Sequence, residues 1–157
     1  MMSKSLKRVI QHAEELGLKI DILKMDVPTT TAQQAADEVN CHVNQIAKSI
    51  IFLGQTSNSP ILFLTAGGNR VSPKKAAVIA DEPLGKADAT LIRAQTGFAI
   101  GGVSPIGHLN PIRCFIDPTL LSFETVWAAA GTPHHLFSIA CGTLVQATSG
   151  ITADFCE

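Results

Sequence analysis

No two cysteines lie close enough to mark a metal knuckle or a dithiol. Cys41, Cys114, Cys141 and Cys156 are widely spaced and form no CxxC. That usage leaves zinc-finger and redox readings without a local signature and fits a reduced compartment. No apolar run is long enough to cross a membrane. The basic start, MMSKSLKRVIQHAEELG, lacks a secretory apolar core and a cleavage pattern, which favours the cytoplasm. An excess of charge of either sign is also missing. The net charge is −1, so composition does not advertise nucleic-acid binding, although a local basic patch needs few residues. Tyrosine is absent.

Three chemical signatures are missing as well. GGNRVSPKK lacks the spacing and the GKS/T ending of a phosphate loop, and GFAIGG lacks dinucleotide spacing. No GxSxG elbow marks a serine hydrolase. Cys41 and His42 are adjacent, and adjacent side chains rarely point together, so they make a poor nucleophile and base. His134 and His135 cannot both reach one metal from a regular strand. No metal or cofactor is expected.

What is present suits one domain over 1–157 with a substantial core. Leu6, Val9, Ile10, Ala13 and Leu16 recur at helical spacing, with Ser3 or Ser5 as cap and Gly17 as stop. Thr31 and Gln34 form a capping-box pattern ahead of a helix to Val39. Ile50–Leu53 and Ile61–Thr65 are apolar strands that read as an antiparallel hairpin. Ser72-Pro73 opens a helix to Ala80, and a further helix runs over 88–96. Asp81–Gly85 reads as a plain link between these two helices. Arg113–Asp117, Thr125–Ala130 and His135–Ile139 are strands, and 142–148 is a short helix. The tail from Ser149 shows little pattern. Short strands among helices point to a mixed α/β (α+β) fold rather than a doubly wound parallel sheet.

Two stretches stand out. From Gly97 to His108 the chain reads GFAIGGVSPIGH. Gly101-Gly102 permits close backbone approach or positive φ, and Pro105 stiffens the turn beyond. Either this is a corner between strands, or its N–H groups cradle a polarised carbonyl. The other stretch is QIAKSIIFLG. If its strand begins near Lys48, alternation puts that lysine with Ile50 and Phe52. Its ammonium then either snorkels to the surface or meets an anion at a cleft.

The ordered set TAQQAA, QIAKSIIF, AGGNRVSPKKAA, GGVSPIGHLNP, Ile116-Asp117 and VWAAAGTPHHLFSI spans nearly the whole chain. Together these stretches resemble the YbaK / prolyl-tRNA-synthetase-associated editing-domain family. The resemblance implies a single domain with a mostly antiparallel, barrel-like sheet and surrounding helices. It implies a trans-acting deacylase that hydrolyses the ester of mischarged aminoacyl-tRNA, with a synthetase as a further partner. The terminal ribose hydroxyl of the tRNA would assist the attacking water.

Lys48 would then be the catalytic residue. Gly101, Gly102, Val103, Ser104, Pro105 and His108 would form the substrate loop. Lys4, Lys7, Arg8, Lys74 and Lys75 are the candidate tRNA-binding residues. AGGNR departs from the acidic AGDxR form of many relatives, because Gly68 occupies the acid's place. That departure keeps open a noncatalytic adaptor that binds tRNA or a synthetase.

Overall fold

The computed structural model describes residues 2–157. Helix α1 (Lys4–Glu15) starts where Ser3 Oγ accepts from Leu6 N at 3.1 Å, which identifies Ser3 as the cap. Such a cap is worth about 1 kcal/mol. Strand β1 (Asp21–Lys24) leads to α2 (Ala32–Val39). Thr31 caps α2 as its sequence suggests, but Gln34 reaches back to Thr30 N at 2.9 Å instead of to Thr31.

A short 3-10 turn (Val43–Gln45) enters the hairpin β2 (Ala47–Gly54) and β3 (Ser59–Ala66). Ser72 and Pro73 open α3 (Pro73–Ala80), and Asp88 caps α4 (Ala89–Thr96). After the glycine-rich loop come β5 (Arg113–Ile116), a 3-10 turn (Pro118–Ser122), β6 (Thr125–Ala129), β7 (His135–Ala140) and α5 (Cys141–Thr148). Two short strands lie where the sequence showed only connection and tail: β4 (Leu84–Lys86) and β8 (Ile151–Thr152). Both are too short to carry a period-two pattern.

The strands form two sheets, ordered β1-β7-β6 and β4-β2-β3-β5-β8. The first is antiparallel throughout. The second is antiparallel across β4, β2 and β3, then parallel through β5 and β8. One backbone bridge, Ile46 to Trp127, links the sheets, which do not close into a barrel.

Alternation sorts the larger sheet's side chains onto two faces. Leu62 and Leu64 of β3, with Cys114 and Ile116 of β5, pack against Val126, Ala128, Phe137 and Ile139 of the smaller sheet and against Leu6, Val9 and Ala13 of α1. Ile61, Phe63 and Phe115 face the other way, onto Ala76 and Ala80 of α3 and onto Phe155. The Phe63 and Phe155 rings meet edge to face at 5.0 Å. Truncating a buried phenylalanine such as Phe63 costs about 3–5 kcal/mol. The tail is therefore part of the core. Ser72 N donates to Phe155 O at 2.8 Å, and Glu157 N donates to Arg70 O at 2.9 Å. No described helix is long and apolar enough to cross a membrane.

Candidate functional site

Lys48 lies on β2 with Ile50 and Phe52 on one face, as its alternation requires. Its Nζ donates to Asn69 O at 2.7 Å. Burial holds the ammonium below its usual pKa. Arg70 pushes it the same way, while the Asp117 carboxylate opposes both. Lys48 therefore neither snorkels freely nor forms an ion pair. It is anchored by one carbonyl and keeps two N–H donors for other partners.

The anchor is itself held from below. Asp117 is buried, and its Oδ2 accepts from Ala66 N at 3.0 Å and from Asn69 Nδ2 at 2.9 Å. Its Oδ1 accepts from Thr119 N at 2.9 Å. Burial alone would raise this carboxyl's pKa, but the bonds from Asn69, Thr119 and Ala66 outweigh it and hold the group below its ordinary range. Cys156 Sγ donates to the same carboxylate at 3.4 Å. Burial and the neighbouring carboxylate push that thiol up to about 12, so it stays protonated.

Lys48 borders two hollows. One is a hollow of about 480 Å³ formed with 67–71 and Ile50. The other is a cavity of about 380 Å³, walled by β2, by residues 29–32 leading into α2, by Ala129 and by the glycine-rich loop. Its lining is mostly aliphatic. Among the described residues, Lys48 is the only ionisable residue in its lining, which holds no Asp, Glu, His or Cys, and the Lys48 Nζ reaches Asn69 O on the side of the other hollow.

The loop supplies Ile100, Gly101 and Val103 to the cavity wall. Gly101 has φ +94°, a conformation that side chains rarely adopt. Gly102 lies against the Gly131–Thr132 backbone, where a Cβ would come within 2.8 Å of Thr132 Cα. It fixes the loop's seat without lining the cavity. Ser104 and Pro105 are buried and point elsewhere. Ser104 Oγ accepts from Ile106 N at 3.1 Å. His108 Nε2 donates to Ser104 O at 2.7 Å, and burial lowers its pKa. Pro105 and His108 line a separate hollow with His12. The structure thus brings Lys48, Gly101 and Val103 together and leaves Ser104, Pro105 and His108 as the loop's support.

The basic candidates divide in the same way. Lys4, Lys7 and Lys74 are exposed. Arg8 donates to Gly97 O at 3.1 Å, and its guanidinium lies 5.1 Å from the Phe98 ring centroid. Lys75 pairs with Asp154 at 3.3 Å and donates to Cys156 O at 2.9 Å. Cys41 and His42 do not assemble as a pair, since His42 Nδ1 accepts from Asn44 N at 3.0 Å. His134 and His135 contact Met25 O and Thr132 Oγ1 respectively.

Sequence reading did not assign Asp117 and Asn69 a role in the site. The available signal was a carboxylate closing the apolar strand RCFI directly before Pro118. Gly68 has its own local explanation. Its N–H donates to Asn44 Oδ1 at 2.8 Å, so Asn44 fills the space beside it.

Two sheets linked by one backbone bridge thus place Lys48 and the glycine-rich loop on the lining of one cavity. The aminoacyl-tRNA editing domain family matches residues 26–146, and the chain belongs to that family. A solved structure described as a candidate trans-editing enzyme for prolyl-tRNA synthetase is 38% identical, with TM-score 0.93, covering 100% of this chain and 99% of that one. The protein APE2540 is 27% identical, with TM-score 0.87, covering 96% of this chain and 99% of its own. YwhH of Bacillus subtilis (strain 168), an uncharacterized protein, is 27% identical over 154 residues, which is 98% of each chain.

Proposed function

We propose that the protein is a trans-acting deacylase that hydrolyses the ester of mischarged aminoacyl-tRNA. One observation carries the reading. Among the described residues, Lys48 is the single ionisable residue lining a mostly aliphatic cavity whose wall also includes Gly101 and Val103. An aminoacyl ester is already reactive, so positioning and charge stabilisation supply most of what its hydrolysis needs. The Lys48 ammonium stabilises the oxyanion that forms when water attacks, or holds acceptor-end oxygens. The Gly101 and Val103 backbone shapes the wall against the acyl group. The cavity lining offers no general base, so the ribose hydroxyl of the substrate assists the water. Of the basic candidates, the exposed Lys4, Lys7 and Lys74 are the cations for tRNA phosphate.

Gly68 in place of an acid favours one rival, a noncatalytic adaptor for tRNA or a synthetase. A deacylation screen across matched and mismatched aminoacyl-tRNAs separates the two. The deacylase reading predicts accelerated ester loss for a subset of mismatched pairs. Binding of charged tRNA without faster ester loss supports the adaptor.

A further inference from the structure

The deacylase reading draws on the aliphatic cavity and leaves the second hollow beside Lys48 without a role. That hollow differs from its neighbour in charge. Lys48 and Arg70 both line it, and among the described residues no Asp, Glu or His does. The Lys48 Nζ is already on this side, where it donates to Asn69 O at 2.7 Å and keeps two further N–H donors. Arg70 is exposed, and among the described residues its guanidinium makes no hydrogen bond or ion pair. The two cations are near enough that the guanidinium weakens the ammonium's hold on its proton. Like charges held together cost free energy, and an anion between them turns that cost into attraction.

The backbone that carries both groups is fixed. Asn69, which anchors Lys48, donates from Nδ2 to Asp117 Oδ2 at 2.9 Å and to Thr119 Oγ1 at 3.0 Å. Arg70 O accepts from Glu157 N at 2.9 Å, and Val71 bridges to Cys156. The Asp117 carboxylate offsets part of the positive charge from behind the wall. Its oxygens are occupied by Ala66 N, Asn69 Nδ2, Thr119 N and Cys156 Sγ, and it does not line the hollow.

We infer that Arg70 and Lys48 form a phosphate site in this hollow, with Arg70 as a further binding residue that seats the substrate's acceptor end. The inference rests on the deacylase reading for the source of the phosphate, since a free phosphate offers the same chemistry. The guanidinium fork takes phosphate oxygens side on, and the Lys48 ammonium adds a point charge. Lys48 then stands between two neighbours, the phosphate in one hollow and the ester at the other. Arg70 touches the phosphate and not the reacting carbonyl, so its loss acts on binding and spares the chemical step.

Inorganic phosphate, adenosine monophosphate and adenosine are each titrated into the full-length protein while backbone amide NMR shifts are followed, with chloride at matched ionic strength as control. Both phosphates are expected to shift the amides of 67–71, and adenosine and chloride are not. Arg70→Gln should weaken both phosphates about tenfold with its melting temperature unchanged, and Arg70→Lys should recover part of the loss. In single-turnover deacylation, Arg70→Gln should raise the half-saturating protein concentration about tenfold and leave the rate at saturation within about twofold. Unchanged phosphate affinity in Arg70→Gln, shifts confined to other surfaces, or an equal response to chloride would overturn the inference. A response to inorganic phosphate but not to the nucleotide would overturn the acceptor end as the source. Ester loss without phosphate shifts at 67–71 removes this site and leaves the deacylase reading intact. Phosphate binding at 67–71 without ester loss from any aminoacyl-tRNA does the reverse.

Discussion

The Asp117 carboxylate and the Asn69 side-chain amide meet at 2.9 Å, and the Asn69 carbonyl in turn holds the Lys48 ammonium at 2.7 Å. A buried acid thereby positions the site's lysine without touching the cavity. Asp117→Asn should fold but lose about 2–3 kcal/mol, because several bonds to a buried charge are weakened together. The sign with pH follows from a carboxyl held below its ordinary range. Its stabilisation is present above the unfolded-state pKa and is lost as pH falls through the folded-state value. Denaturant titrations across the acid range should show a stability loss in the wild type that Asp117→Asn lacks. Parallel acid profiles would remove this role.

Gly101 and Gly102 constrain the loop for different reasons, and alanine separates them. At Gly101 there is open space around a Cβ, and the cost is the φ of +94°, about 1–3 kcal/mol. At Gly102 the cost is steric, since backbone rather than a flexible side-chain end stands in the way, and overpacking of this kind costs about 1–3 kcal/mol. Gly101→Ala should leave the loop seated. Gly102→Ala should lift it from Thr132 and change amide shifts in the cavity wall. Identical shift patterns for the two variants would contradict this division.

Lys48 and the glycine loop were legible in the sequence because each is a local irregularity. One is a charge in an apolar strand, and the other is a cluster of permissive residues with one proline. The fold class and the β2–β3 hairpin were legible from periodicity. The support beneath the site was not, because Asn69 and Asp117 are 48 residues apart and Asp117 and Cys156 are 39 apart. Nothing local marks a tail that contributes Phe155 to the core.

Gly68 and Asn44 should be coupled. A Cβ at Gly68 would lie 2.5 Å from Asn44 Oδ1, so Gly68→Asp displaces the Asn44 side chain and breaks its bond to the Gly68 N–H. Asn44→Ala clears that space. In a double-mutant cycle the pair should be less destabilised than the sum of the singles, by roughly 0.5–3 kcal/mol. Additive effects would show that Asn44 does not occupy the acid's place.

The exposed lysines should behave differently from the tied ones. Lys4→Glu and Lys7→Glu should weaken tRNA binding and flatten its salt dependence, since each removes a phosphate contact and its released counterion. Arg8→Ala should instead lower the melting temperature, because Arg8 is bonded to Gly97 O and stacked over Phe98. Salt-independent binding, or none to any charged tRNA, would count against a tRNA face on α1.

The central claim is that the Lys48 charge drives ester hydrolysis, and single-turnover kinetics of Lys48→Ala test it most directly. The assay runs at saturating protein on the best mischarged tRNA from the screen, with circular dichroism and melting in parallel. A methyl group cannot stabilise developing oxyanion charge, so the rate should fall roughly 10²- to 10³-fold while the fold is retained. Lys48→Arg, which keeps charge but changes reach, should recover part of the loss. A folded Lys48→Ala protein that cleaves the ester at near wild-type rate would contradict the account.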